Sequence, residues 1–317
     1  MKHCFIINPH ARNGRGRKKV EELRAELERC RLRYTLAFCE GLDHACELSR
    51  EANLSGYDVI TGVGGDGTIN RVLNGFFDSS GHRISQARMG AVHIGTSPDF
   101  CRSYGVPTKI TSAIEALATG LSCPVSVGRI LYEAGNGSAT ATGQRSACFG
   151  CCANVGLGPS LARLANAGIR KHVGDFLGTF ISLLQVLVSF RPRDLRIELD
   201  GHERTVPGVY NIAVGKTLYI ASGIKIRHEL SRQDSRFYVL CLRNLSWRNI
   251  GHVLHTLYTG RPITADSCLS LEYARSAQIT PTNGPVEVEF DGDPAGWCPC
   301  RIETARDPLD LIVGESA

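Results

Sequence analysis

The segment Asp58-Val-Ile-Thr-Gly-Val-Gly-Gly-Asp-Gly-Thr-Ile-Asn70 holds the residues best suited to chemistry. It sets Gly64, Gly65 and Gly67, with the carboxylate of Asp66 among them, at the end of an apolar run and just ahead of a helical pattern. Glycines let a main chain approach a ligand closely, and the amides that open a helix favour an anion, so the turn reads as a phosphate cradle. Asp66 would repel a phosphate unless it holds a divalent cation or takes up a proton, which makes it a candidate for either task. Thr68 and Asn70 complete the run. Five other residues, Cys148, Cys151, Cys152, Cys298 and Cys300, invite a metal reading, but no His pair at ligand spacing accompanies them. Packing is the expectation there, with Ala147–Val155 read as one buried strand.

Elements that could position this turn are legible on both sides of it. Cys4–Ile7 reads as a strand ending in Asn8-Pro9, followed by a basic loop, Ala11–Arg17, and a helix with Val20, Leu23, Leu27 and Cys30 on one face. Tyr34–Phe38, Asp58–Val63 and Ala91–Ile94 read as further strands, and His44–Asn53, the stretch from Ile69 to Phe77, and Ile110–Ala118 as helices. Strands alternating with helices predict a parallel sheet, hence an α/β N-terminal domain over residues 1–125. From about Val125 the pattern changes. Arg196–Leu199, Asp200-Gly201 and Thr205–Val206 read as a hairpin, followed by strands at Tyr210–Val214, Phe237–Leu242, Ala277–Thr280 and Val286–Phe290, with helices near 160–190 and 246–259. This predicts an antiparallel β-sandwich or barrel-like domain over 126–305, and a short strand within 306–317 that rejoins one of the two.

The chain has 317 residues with 43% hydrophobic and 21% charged, enough for two globular cores. Its net charge of +5 is too mild for a nucleic-acid binder. Residues 1–33 alone carry ten Lys and Arg against four Glu, an edge that suits an anion site or a solvated helix face. The odd count of thirteen cysteines, and an opening Met-Lys-His-Cys-Phe-Ile-Ile-Asn without an apolar leader, point to reduced thiols in a cytoplasm. The longest apolar stretch, Phe176–Phe190, is broken by polar residues and falls short of a spanning helix. Its Leu177, Phe180, Ile181, Leu184, Leu187 and Val188 follow helical spacing, which predicts a core helix that could also wall a lipid tail.

Gly-Gly-Asp-Gly-Thr-Ile-Asn70 resembles the nucleotide motif of the diacylglycerol kinase catalytic domain family, which includes sphingosine kinases and bacterial lipid kinases. Three further segments agree in order and spacing: Ile6-Ile-Asn-Pro-His-Ala-Arg-Asn-Gly-Arg-Gly16, Ile94-Gly-Thr-Ser-Pro-Asp-Phe-Cys-Arg-Ser-Tyr-Gly-Val-Pro107, and Val288-Glu-Phe-Asp-Gly-Asp-Pro294. The resemblance implies transfer of the ATP γ-phosphoryl group to a lipid hydroxyl, with ATP between the two domains and Mg²⁺ required. It implies that Asn8, Pro9, Arg12, Cys39, Gly64, Gly65, Asp66, Gly67, Thr68, Asn70, Gly95 and Thr96 hold the nucleotide. Asp66, Asp99 and Asp234 would serve metal, and Asp291, Asp293 or Asp66 would accept the hydroxyl proton. The implied partner is a lipid substrate met at a membrane surface by a cytoplasmic, transiently peripheral protein, with no nucleic acid; a homodimer stays open.

Several positions depart from the family pattern. Arg71 stands where a Glu is usual, Ser97-Pro98 where Gly-Asn is usual, Ser126 for an Asp at the domain junction, and Cys39 for a nucleotide-contacting Thr. Asp293 is one methylene shorter than the Glu of the family's Asp-Gly-Glu, and Asp234-Ser235 replaces an Asp-Gly in a structural metal loop. Ser97 and Pro98 suit the N-cap and first position of a helix. Arg71 would either contact phosphate or cap a surface turn. Two alternatives follow: a relative that binds lipid or nucleotide without turnover, and a soluble-substrate kinase of the NAD kinase type.

Overall fold

The computed structural model describes residues 1–9, 16–135, 143–164 and 175–314. Two compact units divide the chain, Met1–Val127 together with the segment from Ala305, and Gly128–Thr304. The first runs β1 (His3–Ile7), α1 (Gly16–Arg29), β2 (Tyr34–Phe38), α2 (Leu42–Leu54), β3 (Val59–Gly64), α3 (Asp66–Asn74), β4 (Arg88–His93), α4 (Asp99–Tyr104), α5 (Ile110–Thr119) and β5 (Ser122–Val125). Every residue of β1 and β3 is buried, which is why both read as near-continuous apolar runs rather than alternations. The two strands pair in parallel, β1 with β2 and β3 with β4 extend the same sheet, and all four carboxyl ends point one way. Val20, Leu23 and Leu27 of α1 meet Ile110, Ile114 and Leu117 of α5 in one core with Phe5, Val59 and Val92. Phe76 and Phe77, placed in a helix by their spacing, lie just past the end of α3 and are nonetheless buried.

The second unit contains β6 (Gly128–Glu133), β7 (Gln144–Phe149), β8 (Cys152–Gly156), α6 (Gly158–Leu164), α7 (Asp175–Ser189), β9 (Arg193–Leu199) and β10 (His202–Gly215). It continues through β11 (Tyr219–Ile220), β12 (Ile224–Lys225), β13 (Phe237–Arg243), α8 (Ile250–Thr259), β14 (Leu269–Ala274), β15 (Ser276–Pro281), β16 (Glu287–Phe290) and β17 (Asp293–Thr304). Antiparallel neighbours run in the order β14-β13-β10-β8-β16-β17-β15-β9. β9 also pairs with the first half of β10, so the path closes on itself around Val155, Ile197, Ile212, Val288, Phe290 and Ile302. The chain then returns to the first unit as β18 (Leu309–Ile312), parallel to β4 and antiparallel to β5, completing the order β2-β1-β3-β4-β18-β5.

Four further expectations change. The run Ala147–Val155 is two strands, not one: β7 and β8 are separated at Gly150–Cys151. Tyr210–Val214 is the second half of β10, which runs through from the Asp200-Gly201 hairpin with a shift of register between Val206 and Val209. In α7 the buried stripe is Ser182, Leu183, Val186 and Leu187, while Val188 is 67% exposed. Pro98, not Ser97, flanks the start of α4.

Candidate active site

The first group of residues lies at the carboxyl end of the parallel sheet, where the turns after β1, β3 and β4 are tied together. Asn8 N donates to the Val63 carbonyl at 3.0 Å, and the amides of Ile94 and Gly95 both reach the Gly64 carbonyl, at 2.9 and 3.2 Å. Asn8 Nδ2 donates to Thr68 Oγ1 at 3.0 Å, joining the first turn to α3. Two glycines are required by close approach. A Cβ on Gly95 would stand 2.4 Å from the Gly65 Cα, and one on Gly64 would stand 2.5 Å from the Thr68 side chain. What this knot leaves accessible is Asn8, Pro9, the Gly65–Gly67 backbone and Thr96. The opening amides of α3 sit there, without an intrahelical partner and at the positive end of the helix. A phosphate chain fits this concavity.

Thr68 and Asn70 are buried inside the knot and serve to brace it; Asn70 accepts from Asn74 Nδ2 through its carbonyl at 2.9 Å. The Cys39 thiol is 1% exposed, and burial raises its pKa, so it offers a ligand almost no surface. Arg12 lies outside the described residues. Arg71 turns towards α2, with Nη1 3.3 Å from Asp43 Oδ1, an exposed and therefore weak pairing. Ser126 is buried between β5 and β6.

Asp66 braces the elements around it. Its Oδ2 accepts from the amides of Asp99 and Phe100, at 3.0 and 3.3 Å, and so caps α4 in place of a local side chain. Its Oδ1 is buried 3.5 Å from His93 Nδ1. Asp66 is therefore a strut between α3, β4 and α4, with its Oδ1 left without a hydrogen-bond partner. Asp99 is buried and its Oδ1 accepts from Ser97 Oγ at 3.0 Å. Among the described residues no three His, Cys, Asp or Glu gather to hold a metal ion.

Asp234 lies in the loop before β13. Its carboxylate is occupied by Arg236, through the backbone amide at 2.8 Å and Nη2 at 2.7 Å, and the guanidinium pulls its pKa down to about 2. Lys216 Nζ donates to the carbonyls of Asp234 and Arg236 at 2.6 and 2.9 Å. Burial brings the pKa of this ammonium group down to about 8.

The second group of residues is the turn between β16 and β17. Asp291 takes φ 51°, a left-handed conformation open to Asp and Asn. Its Oδ2 accepts from Gly150 N at 2.7 Å, and its Oδ1 from Cys151 N and Cys152 N at 2.8 and 3.0 Å. The carboxylate thereby clasps the break that separates β7 from β8. Asp291 thus holds three donors, whereas Asp293 lies half-buried at the start of β17.

Glu289 was assigned no role by the sequence reading. It is 5% exposed and accepts from Asn154 Nδ2 and, at 2.8 Å, from Gly292 N. Burial, reinforced by the charges of Asp291 and Asp293 against these two bonds, raises its pKa to about 8. A signal was present: in Glu287-Val-Glu-Phe-Asp-Gly-Asp293 the acids alternate with Val288 and Phe290, which fill the core.

The same hairpin borders a cavity of about 270 Å³ lined by Val186, Phe190, Val286 and Trp297 together with Arg191 and Arg193. Glu287 pairs with Trp297 beside the cavity, and Phe290 pairs with Asp293 at the turn. Three strand residues, about 10 Å, separate the two.

A strand-to-helix glycine cradle thus stands on the parallel sheet of the first unit, and an acidic hairpin in the closed antiparallel second unit. The chain belongs to the diacylglycerol kinase catalytic domain family: that domain matches residues 2–130, and the YegS C-terminal NAD kinase beta sandwich-like domain matches residues 156–313. A diacylglycerol kinase of Staphylococcus aureus (strain bovine RF122 / ET3-1) is 22% identical over 311 residues, spanning 97% of this chain and 91% of its own length. A diacylglycerol kinase structure from Bacillus anthracis str. Sterne superposes with a TM-score of 0.70 at 18% identity, covering 99% and 97% of the two chains. Yeast NADH kinase complexed with NADH shares the fold more distantly, with a TM-score of 0.53 and 9% identity over 99% of this chain and 83% of that one.

Proposed function

We propose that this kinase transfers the γ-phosphoryl group of ATP to the hydroxyl of a lipid, diacylglycerol or a sphingoid base. The β16–β17 hairpin carries the reading: one end bears Asp293, and the other, about 10 Å away, borders a cavity that sets Val186, Phe190, Val286 and Trp297 beside Arg191, Arg193, Glu287 and two serines. That pairing suits an amphiphile whose hydroxyl reaches the acid while its apolar portion is sheltered. On the nucleotide side, Gly65–Gly67, Asn8 and Thr96 would seat the phosphates, with Asp66 holding α3 and α4 in register. A divalent cation carried by ATP would neutralise phosphate charge. Phosphoryl transfer asks chiefly for alignment, and the residues here supply that and one carboxylate to take the hydroxyl proton.

The test is labelled-ATP transfer to diacylglycerol, sphingosine, ceramide or a polyprenol in mixed micelles, with NAD as a soluble acceptor. Transfer to a lipid that is lost in Asp293→Asn is the expected result. Phosphorylation of NAD alone, or ATP binding with no transfer to any acceptor, would refute the proposal. The protein is read as acting transiently at a membrane surface; among the described residues no helix is long and apolar enough to cross one.

A further inference from the structure

Glu289 is a buried carboxylate whose charged neighbours on its own hairpin are acids. Around it stand Asp291 and Asp293 on the turn and Asn154 on β8, whose amide also reaches the Cys152 thiol, while Arg163 on α6 is paired with Glu287. Its hydrogen bonds have a fixed sense. Gly158 N, which can only donate, reaches Asn211 Oδ1 at 3.2 Å; Asn211 Nδ2 then donates to Asn154 Oδ1 at 2.8 Å; and Asn154 Nδ2 donates to Glu289 Oε1. Gly292 N donates to Oε2. The orientation of each amide follows from the one before, so both oxygens of Glu289 face donors and neither faces an acceptor. A network aimed this way favours a negative charge where burial opposes one.

We infer that Glu289 is a positioning residue for phosphoryl transfer: oriented by Asn211 and Asn154, it fixes the backbone at Gly292 and sets a negative charge behind Asp293 that strengthens its hold on the hydroxyl proton. The inference rests on the lipid kinase reading, in which Asp293 receives that proton. A like charge nearby favours the protonated form of an acid, and here the neighbour is the group that must accept a proton. Because Glu289 changes charge near pH 8, turnover should rise with pH through that region.

The experiment compares the wild type with Glu289→Gln, Asn154→Asp and the double variant Asn154→Asp/Glu289→Gln, and uses Asp293→Asn as a control. Lipid transfer is followed as kcat and KM from about pH 6 to 9.5, alongside the thermal midpoint. Alone, Glu289→Gln turns an amide donor against Asn154 or Gly292 and lowers the midpoint. In the double variant the new carboxylate at position 154 accepts from Asn211 and from the new carboxamide, whose oxygen still accepts from Gly292, so the chain from Asn211 to Gly292 is kept, only the weak donation to Cys152 Sγ is lost, and the charge has moved. The expected result is a midpoint close to wild type with kcat still reduced about tenfold or more, a flattened pH profile and an unchanged KM for ATP. Recovery of kcat together with the midpoint would show that Glu289 only completes a bonding network and would overturn the inference, as would wild-type kcat in Glu289→Gln. If the wild type transfers phosphate to no lipid, the lipid kinase reading fails and takes the inference with it. An active wild type with an indifferent Glu289 defeats the inference alone.

Discussion

Replacing Asp291 by Asn separates two tasks that a carboxylate in this turn could have. The backbone at φ 51° accepts Asn as readily as Asp, so the conformation itself is not perturbed. The bonds are. A carboxamide can keep its oxygen on the Cys151 and Cys152 amides, but its NH₂ group then faces the amide of Gly150, a donor against a donor. One hydrogen bond to a charged group is lost, at a cost of about 1.5–3 kcal/mol. For a unit of this size that corresponds to a fall in thermal midpoint of roughly 4–10 °C. The clasp holds the break between β7 and β8, so the damage is to stability, and at temperatures well below the midpoint turnover should stay within about tenfold of wild type. Asp293→Asn should do the reverse, losing about 10²–10⁴-fold in kcat with little change in midpoint. Differential scanning calorimetry with steady-state kinetics on both variants decides the matter. An Asp291→Asn protein with an unchanged midpoint and a kcat reduced by two orders of magnitude or more would mean that the three amide contacts carry no weight and that Asp291 is the base.

Other substitutions probe the remaining parts. Gly95→Ala drives a methyl into the Gly65 Cα, 2.4 Å away, so the phosphate turn must shift; isothermal titration should show ATP affinity weakened about tenfold or more, with the circular dichroism spectrum retained. Glu289, raised to about 8 from about 4.5, keeps its proton longer in the folded state; it contributes stability below about pH 4.5 that is lost as pH rises through 8, and Glu289→Gln should flatten that part of the midpoint-versus-pH curve. Ending the chain after Ala305 removes the buried Leu309, Leu311, Ile312 and Val313, each worth about 1.5–3 kcal/mol, opens one edge of β4 and leaves β5 without its partner; size-exclusion chromatography should show aggregation. A soluble monomer with native circular dichroism would contradict the place given to β18.

The first unit was largely legible in the sequence because its signals are local. Tyr34–Phe38 is a strand with those bounds, and Val20, Leu23 and Leu27 occupy one face of α1 as their spacing requires. The Gly-Gly-Asp-Gly run was legible as a turn at a strand end for the same reason. The work done by Asp66 was not, because its partners are amides 33 and 34 residues further along the chain. Distance hid the second unit more thoroughly. Nothing within Ala147–Val155 announces a break, since the residue that makes it stable is Asp291, 139 to 141 positions away. Glu289 showed its alternation with Val288 and Phe290, but burial of its carboxyl depends on β8 and β10 supplying Asn154 and Asn211. Lys216 was invisible as the partner of the Asp234 loop, because an ammonium bonded to two carbonyls leaves no motif.

The position of β18 dictates the order in which the molecule can be made. Its neighbours β4 and β5 leave the ribosome early, but the strand between them arrives only after all of Gly128–Thr304 has been translated, roughly 10–40 s later at ordinary elongation rates. The inserted unit is contiguous and can mature while the nascent parallel sheet waits with an open seam. A chaperone that shields exposed strand edges would be expected to engage this chain during that interval and to leave when the last residues are added.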